Sequence, residues 1–173
     1  MSTRFARAAI LAAVLGAAAA CGGTHKVDPA AERRAFAQVT KETAIAELDA
    51  ARPGARAKLD AAPGWAVFST VGARVFVGEA GGGVGVARDT KSGAETYMRM
   101  SEPGDVDGFG QAQFRAVLVF RDEKTLRDFI EKGWEFETDD SGTAIEVFQL
   151  GDGGVVANPA LAGTRFWRDR SLN

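Results

Sequence analysis

The stretch GEAGGGVGVARDTKSG, residues 78–93, contains the residue types of a phosphate-binding loop: glycines whose backbone N–H groups could approach an anion, and a terminal Lys-Ser pair. Its spacing argues against that chemistry. Gly85 to Ser92 has the length of such a loop, but Thr90 stands where the second glycine must be, and no G-x-G-x-x-G spacing occurs in the run. A phosphate loop must also open a helix. The following segment AETYMRM, residues 94–100, instead alternates Thr96, Met98 and Met100 against Glu95, Tyr97 and Arg99, which predicts a strand. No nucleotide is expected here. The run reads as two strands, ARVFVGE (73–79) and VGVARD (84–89), joined by a glycine turn at Gly81 to Gly83.

Other reactive side chains are sparse. His25 is the single histidine and Cys21 the single cysteine, so no Cys/His pair, metal-ligand cluster or intramolecular disulfide can be assembled from them. No G-x-S-x-G nucleophile elbow is present. The carboxylates of DVD (105–107) and TDD (138–140) lie in turn-forming sequence, where such groups hydrogen-bond the local backbone. A non-catalytic protein without metal or cofactor is expected.

The ends of the chain carry more information. Arg4 and Arg7 precede an apolar run from Ala8 to Ala20, the layout of an export signal and too short for a spanning helix of roughly 20 apolar residues. Cys21 after LGAAAA resembles the lipobox of bacterial lipoproteins, although Ala18 stands where that motif prefers leucine. The resemblance implies acylation of Cys21 as the lipid attachment site, and Gly22 after it resembles the pattern of outer-membrane sorting. The alternative is an ordinary signal peptide whose removal leaves a free thiol. Residues 1–20 hold two basic and no acidic side chains, so of 21 basic and 23 acidic residues the mature chain keeps 19 and 23, a formal charge of −4. That balance argues against nucleic-acid binding.

The expected organisation is a signal peptide over 1–20, a polar tether over 21–30 and one domain over 31–173. AERRAFAQVTKETAIAELDAAR (31–52) predicts a helix ended by Pro53-Gly54, with Phe36 and Val39 on one partial stripe and Ala44, Ile45, Leu48 and Ala51 on another. A helix covered on two sides would explain the pattern, and packing against the domain is preferred to an in-plane membrane helix. A short second helix, ARAKLDAAPG, follows. From Trp65 onward GWAVFST, the two strands above, AETYMRM, QAQFRAVLVFRD, TAIEVFQL and GVVANPALAGTRFW read as short antiparallel strands, with FRAVLVF central. One helix, RDEKTLRDFIEKGW, interrupts them. Asp122 is its N-cap, Leu126, Phe129 and Ile130 its buried stripe, Gly133 its C′ residue, and Trp134 packs back on Phe129.

GWAVFSTVGARVFVGEAGGGVGVAR, DGFGQAQFRAVLVFRDEKTLRDFIEKGWEFE and IEVFQLGDGGVVANPALAGTRFWRDRSLN together resemble the SYLF domain family in its branch of small bacterial lipoproteins, over roughly residues 45–173. The most specific signatures are Gly108-Phe109-Gly110, FRAVLVF with GWEF, and Gly163, Thr164 and Trp167 in the final segment. The resemblance implies an α+β fold: a curved, largely antiparallel, partial barrel-like sheet with N-terminal helices and one helix inserted between late strands. It also implies lipid contact, for which Trp65, Phe76 and Phe109 are candidates that equally fit core positions. Actin, linked to some eukaryotic members, is not expected in a bacterial envelope. ETDDSGTA after GWEF is shorter and more acidic than in bacterial relatives. The basic residues Arg33, Arg34, Lys41, Arg52, Arg56 and Lys58 read as a solvated helical face. Two functions follow as expectations. One is an outer-membrane lipoprotein whose domain binds lipid or a membrane surface; the alternative is an envelope interaction module whose only lipid contact is its anchor.

Overall fold

The computed structural model describes residues 28–70, 82–101, 114–137 and 144–173. Among them, helices α1 (Pro29–Ala51) and α2 (Ala55–Ala61) lead into strands β1 (Gly64–Ser69), β2 (Gly82–Asp89), β3 (Glu95–Ser101) and β4 (Arg115–Phe120). Helix α3 (Glu123–Lys132) follows, then β5 (Trp134–Glu135), β6 (Ile145–Gly151), β7 (Gly154–Ala157) and β8 (Arg165–Arg168). The strands form one curled antiparallel sheet in the order β5-β8-β3-β2-β1-β4-β6-β7. The fold is α+β, as the sequence predicts, and β4 is an interior strand, flanked by β1 and β6.

Strands β1, β4 and β6 alternate between two covered faces. Trp65, Val67, Val117, Val119, Phe148 and Leu150 meet α1 and α2, through Ala44, Ile45, Leu48 and Leu59. Their neighbours Ala66, Phe68, Leu118, Phe120 and Val147 point the other way, onto α3 through Leu126 and Phe129. Covering both faces explains why FRAVLVF is apolar almost without interruption.

The glycine run is not a turn. Gly82 and Gly83 lie inside β2, opposite Ser101 and Met100 of β3, and the two edges of β2 are taken by β1 and β3. A hairpin pairing VGVARD with ARVFVGE is thereby excluded, because β2 has no further edge; residues 73–79 themselves lie outside the described residues. The spacing G-x-G-x serves the pleat instead. Val84 and Val86 face α1, while Gly83 and Gly85 leave the α3 face bare. A Cβ on Gly85 would collide with the Val67 carbonyl and the Phe68 ring, and one on Gly83 would lie 2.6 Å from Met100 Cγ. The bare strip accommodates Phe68, whose ring then sits 4.7 Å from Phe166 and 6.1 Å from Phe129, edge-on in both cases.

Helix α1 starts at Asp28, whose carboxylate accepts the Ala30 N–H at 3.0 Å, and ends before Pro53. Its buried face is one continuous stripe, Ala37, Thr40, Lys41, Ala44, Ile45 and Leu48. The two-sided reading fails for a physical reason: Thr40 and Lys41 occupy the buried stripe, while Val39 is 67% exposed. Ala51 is also exposed. In α3 the expected Asp122 cap is present, accepting the Thr125 N–H at 2.7 Å, and Gly133 follows at φ 82°. Phe129 packs against Phe68, Phe120 and Phe166, and the aromatic partner of Trp134 is Phe136, at 6.4 Å. GVVANPALAGTRFW divides into β7 and β8, with Pro159 between them.

Gly85→Ala is expected to lower stability by about 1–3 kcal/mol, the usual cost of overpacking. Gly153→Ala, where a Cβ meets nothing within 4 Å, serves as the control. Thermal unfolding checks this, and equal midpoints for the two variants would contradict the packing role of the bare strip.

Candidate functional site

The stretch that suggested a phosphate loop forms the β2–β3 turn. The Ser92 N–H donates to Asp89 Oδ1 at 2.8 Å, so a backbone donor that could face an anion already faces a carboxylate. The same bond is the main reason the Asp89 carboxyl titrates below its ordinary range. Strand β3 follows the turn, as the alternation of AETYMRM predicts.

Trp65 is 7% exposed and belongs to the core beneath α1 and α2. Beside it lies a cavity of about 190 Å³ whose walls include Lys41, Arg56, Arg88 and Glu95. Glu95 Oε1 accepts from Lys41 Nζ at 2.9 Å and Arg88 Nη1 at 3.0 Å, and Oε2 accepts from Gln38 Nε2 at 2.8 Å. Burial alone would raise the Glu95 pKa; the hydrogen bonds from Gln38, Lys41 and Arg88 outweigh it and hold the carboxyl below its ordinary range. Lys41, read from the sequence as part of a solvated face, is therefore buried and paired. Lys58 is likewise committed, bridging Glu146 of β6.

Phe76, Phe109, Gly108 and Gly110 lie outside the described residues, as do Cys21 and the rest of the expected signal and tether up to residue 27; residues 28–30, expected at the end of the tether, instead cap and begin α1. The remaining signature residues have clear positions. Gly163, at φ 79°, donates its N–H to the Phe136 carbonyl at 2.8 Å, and buried Thr164 accepts the Phe136 N–H at 3.1 Å. Together they fasten the final segment to the residue after β5. Trp167 lies on β8 opposite Arg99, whose guanidinium sits 5.7 Å from its ring centroid.

Trp167 opens onto a depression of about 650 Å³ that also borders Arg99, Lys132, Arg168 and Arg170. The N-terminus of α1 reaches the same corner: Arg33 Nη2 bonds Ser171 Oγ at 3.2 Å, and Arg34 Nε bonds the Leu172 carbonyl at 2.9 Å. Some of these charges are compensated, since Lys132 pairs with Asp128 at 2.8 Å and Arg33 lies 3.8 Å from Asp169. Arg168 and Arg170 have no ion-pair partner among the described residues. This corner was not legible in the sequence, because Arg33 and Arg34 meet Ser171 and Leu172 across 138 positions. Among the described residues no helix is long and apolar enough to cross a membrane, and no three His, Cys, Asp or Glu side chains are grouped to hold a metal ion.

The chain is similar to "Beta cell expansion factor A" of Aeromonas veronii, with 27% identity over 157 residues, covering 83% of this chain. It spans 60% of the length of that protein. No family model matches the chain.

Glu95→Gln is expected to cost about 1.5–3 kcal/mol at neutral pH, the range for hydrogen bonds to a charged group. Because the folded-state pKa is depressed, the carboxylate's contribution is full above its unfolded pKa near 4.5 and is lost as pH falls through the lower folded value. Denaturant titrations at pH 7 and pH 3 check this. The wild-type advantage over the variant should shrink at the lower pH, and an unchanged difference would contradict it.

Proposed function

We propose that the protein is a non-catalytic, envelope-anchored lipoprotein of SYLF type whose domain contacts an anionic membrane surface through the corner shared by α1's N-terminus and β8. The convergence of Arg33, Arg34, Arg99, Lys132, Arg168 and Arg170 around Trp167 carries this reading. A positive patch gains roughly 1 kcal/mol per basic side chain held near an anionic bilayer, and a part-buried tryptophan suits the interface between headgroups and acyl chains. The position of the anchor supports it. Only six residues separate Cys21 from Asp28 at the start of α1, a reach of roughly 25 Å at full extension. An acylated Cys21 would hold this corner, rather than a remote one, close to the lipid. Several acyl chains would supply the durable attachment, at about 0.8 kcal/mol per buried CH₂, leaving the basic corner to orient the domain.

Flotation of the unacylated mature chain (Cys21→Ser) with liposomes tests the reading. Flotation is expected with anionic liposomes at low salt, weakening at high salt, and Arg168→Glu with Arg170→Glu should reduce it about tenfold or more. Absence of flotation with any liposome would refute membrane recognition by the domain and favour the alternative, a protein-interaction module whose lipid contact is its anchor.

A further inference from the structure

A second concavity, of about 630 Å³, lies between the C-terminal end of α2, the β2–β3 turn and α3. Its apolar lining comes from Ala62, Pro63, Ala94, Leu126 and Ile130. The walls are braced from both sides. The Thr90 N–H donates to the Pro63 carbonyl at 3.0 Å, joining the turn to the segment after α2, and a Cβ on Gly64 would lie 2.6 Å from a Leu126 methyl, so α3 sits directly on the start of β1. Such a cleft is formed before any ligand arrives, as small-molecule sites usually are.

Its polar groups give it a sign. Asp60, Asp89, Glu123 and Glu131 line it against only Lys91 and Arg127, and the Lys91 ammonium already lies 3.9 Å from Glu123. Thr90, also in the lining, has a buried hydroxyl with no hydrogen-bond partner.

We propose that this cleft binds a compact amphiphile whose apolar body lies on the alanine, proline and leucine surface and whose cationic amine head meets the acidic rim to which Asp60, Glu123 and Glu131 contribute. A carboxylate or phosphate head would meet an acidic rim and bind more weakly. The site differs in sign from the basic corner around Trp167, and its occupancy does not depend on membrane contact there.

The test is calorimetric titration of the full mature chain with three octyl probes that share one tail: octylammonium, octanol and octanoate. Octylammonium is expected to bind at least tenfold more tightly than octanoate, with octanol between them. Ala94→Trp, which fills the cleft from an exposed position, should abolish binding of all three. Asp60→Asn with Glu131→Gln should erase the amine's advantage over octanol while leaving octanol binding intact. Octanoate binding as tightly as octylammonium would overturn the charge assignment. Binding that survives Ala94→Trp would overturn the site, and so would failure of every probe to bind a variant-free, folded chain. Liposome flotation is a separate readout, so failure here leaves the membrane reading standing, and the reverse also holds.

Discussion

The structure depends on how closely β1 approaches the side-chain-free strip of β2. Phe68 can point into the α3 face only because Gly85, its partner across the ladder, offers no Cβ where the ring must lie. From that position Phe68 touches Phe129 of α3 and Phe166 of β8, and these in turn reach Phe120 and Phe136. Five aromatic rings from five separate parts of the chain thus share one cluster. Edge-on pairs of this kind contribute about 0.5–1.5 kcal/mol each beyond their burial. A side chain at position 85 would push β1 and β2 apart at the centre of the sheet, and α3 would lose its seat.

The opposite face is held by a different balance. Toward its C-terminal half, α1 docks by burial of Ala44, Ile45 and Leu48, which is insensitive to pH. Toward its N-terminal half it docks through Lys41 and Gln38 on Glu95, with Arg88 completing the carboxylate's partners. Buried ion pairs add little net stability when desolvation is counted, yet breaking one partner away is costly. The polar half therefore fixes the rotation of α1 on the sheet, and so decides that Arg33 and Arg34 meet Ser171 and Leu172. Asn173 reinforces the same corner by bonding both the N–H and the carbonyl of Tyr97.

Local signals explain what was legible in the sequence. The alternation in AETYMRM, the Asp122 cap with Leu126 and Phe129 behind it, and the unbroken apolar FRAVLVF each obey a rule of one element, and each element formed where expected. The errors lie where two elements share a residue. Gly82 and Gly83 look like a turn in isolation, and only their pairing with Ser101 and Met100 of β3 makes them strand residues. Lys41 looks solvated until Glu95, 54 positions later, is placed beneath it. Trp134 finds Phe136 rather than Phe129 because Phe129 is already surrounded by rings from β1, β4 and β8. The basic corner and the acidic cleft are likewise products of tertiary placement and left no motif.

Charge shows the same difference between a sum and an arrangement. A chain of formal charge −2 gives little reason to expect attraction to an anionic surface. Fields at a surface, however, are set by the nearest groups within about a Debye length, roughly 8–10 Å at physiological salt. The fold places Arg168 and Arg170 with the arginines of α1's first turns, and it places Asp60, Glu123 and Glu131 around the cleft beside α3. Glu131 borders both depressions, at the end of the helix where Lys132 turns toward the basic side. Two adjoining surfaces of opposite sign thus present different chemistry to solvent, although the whole chain is only weakly acidic.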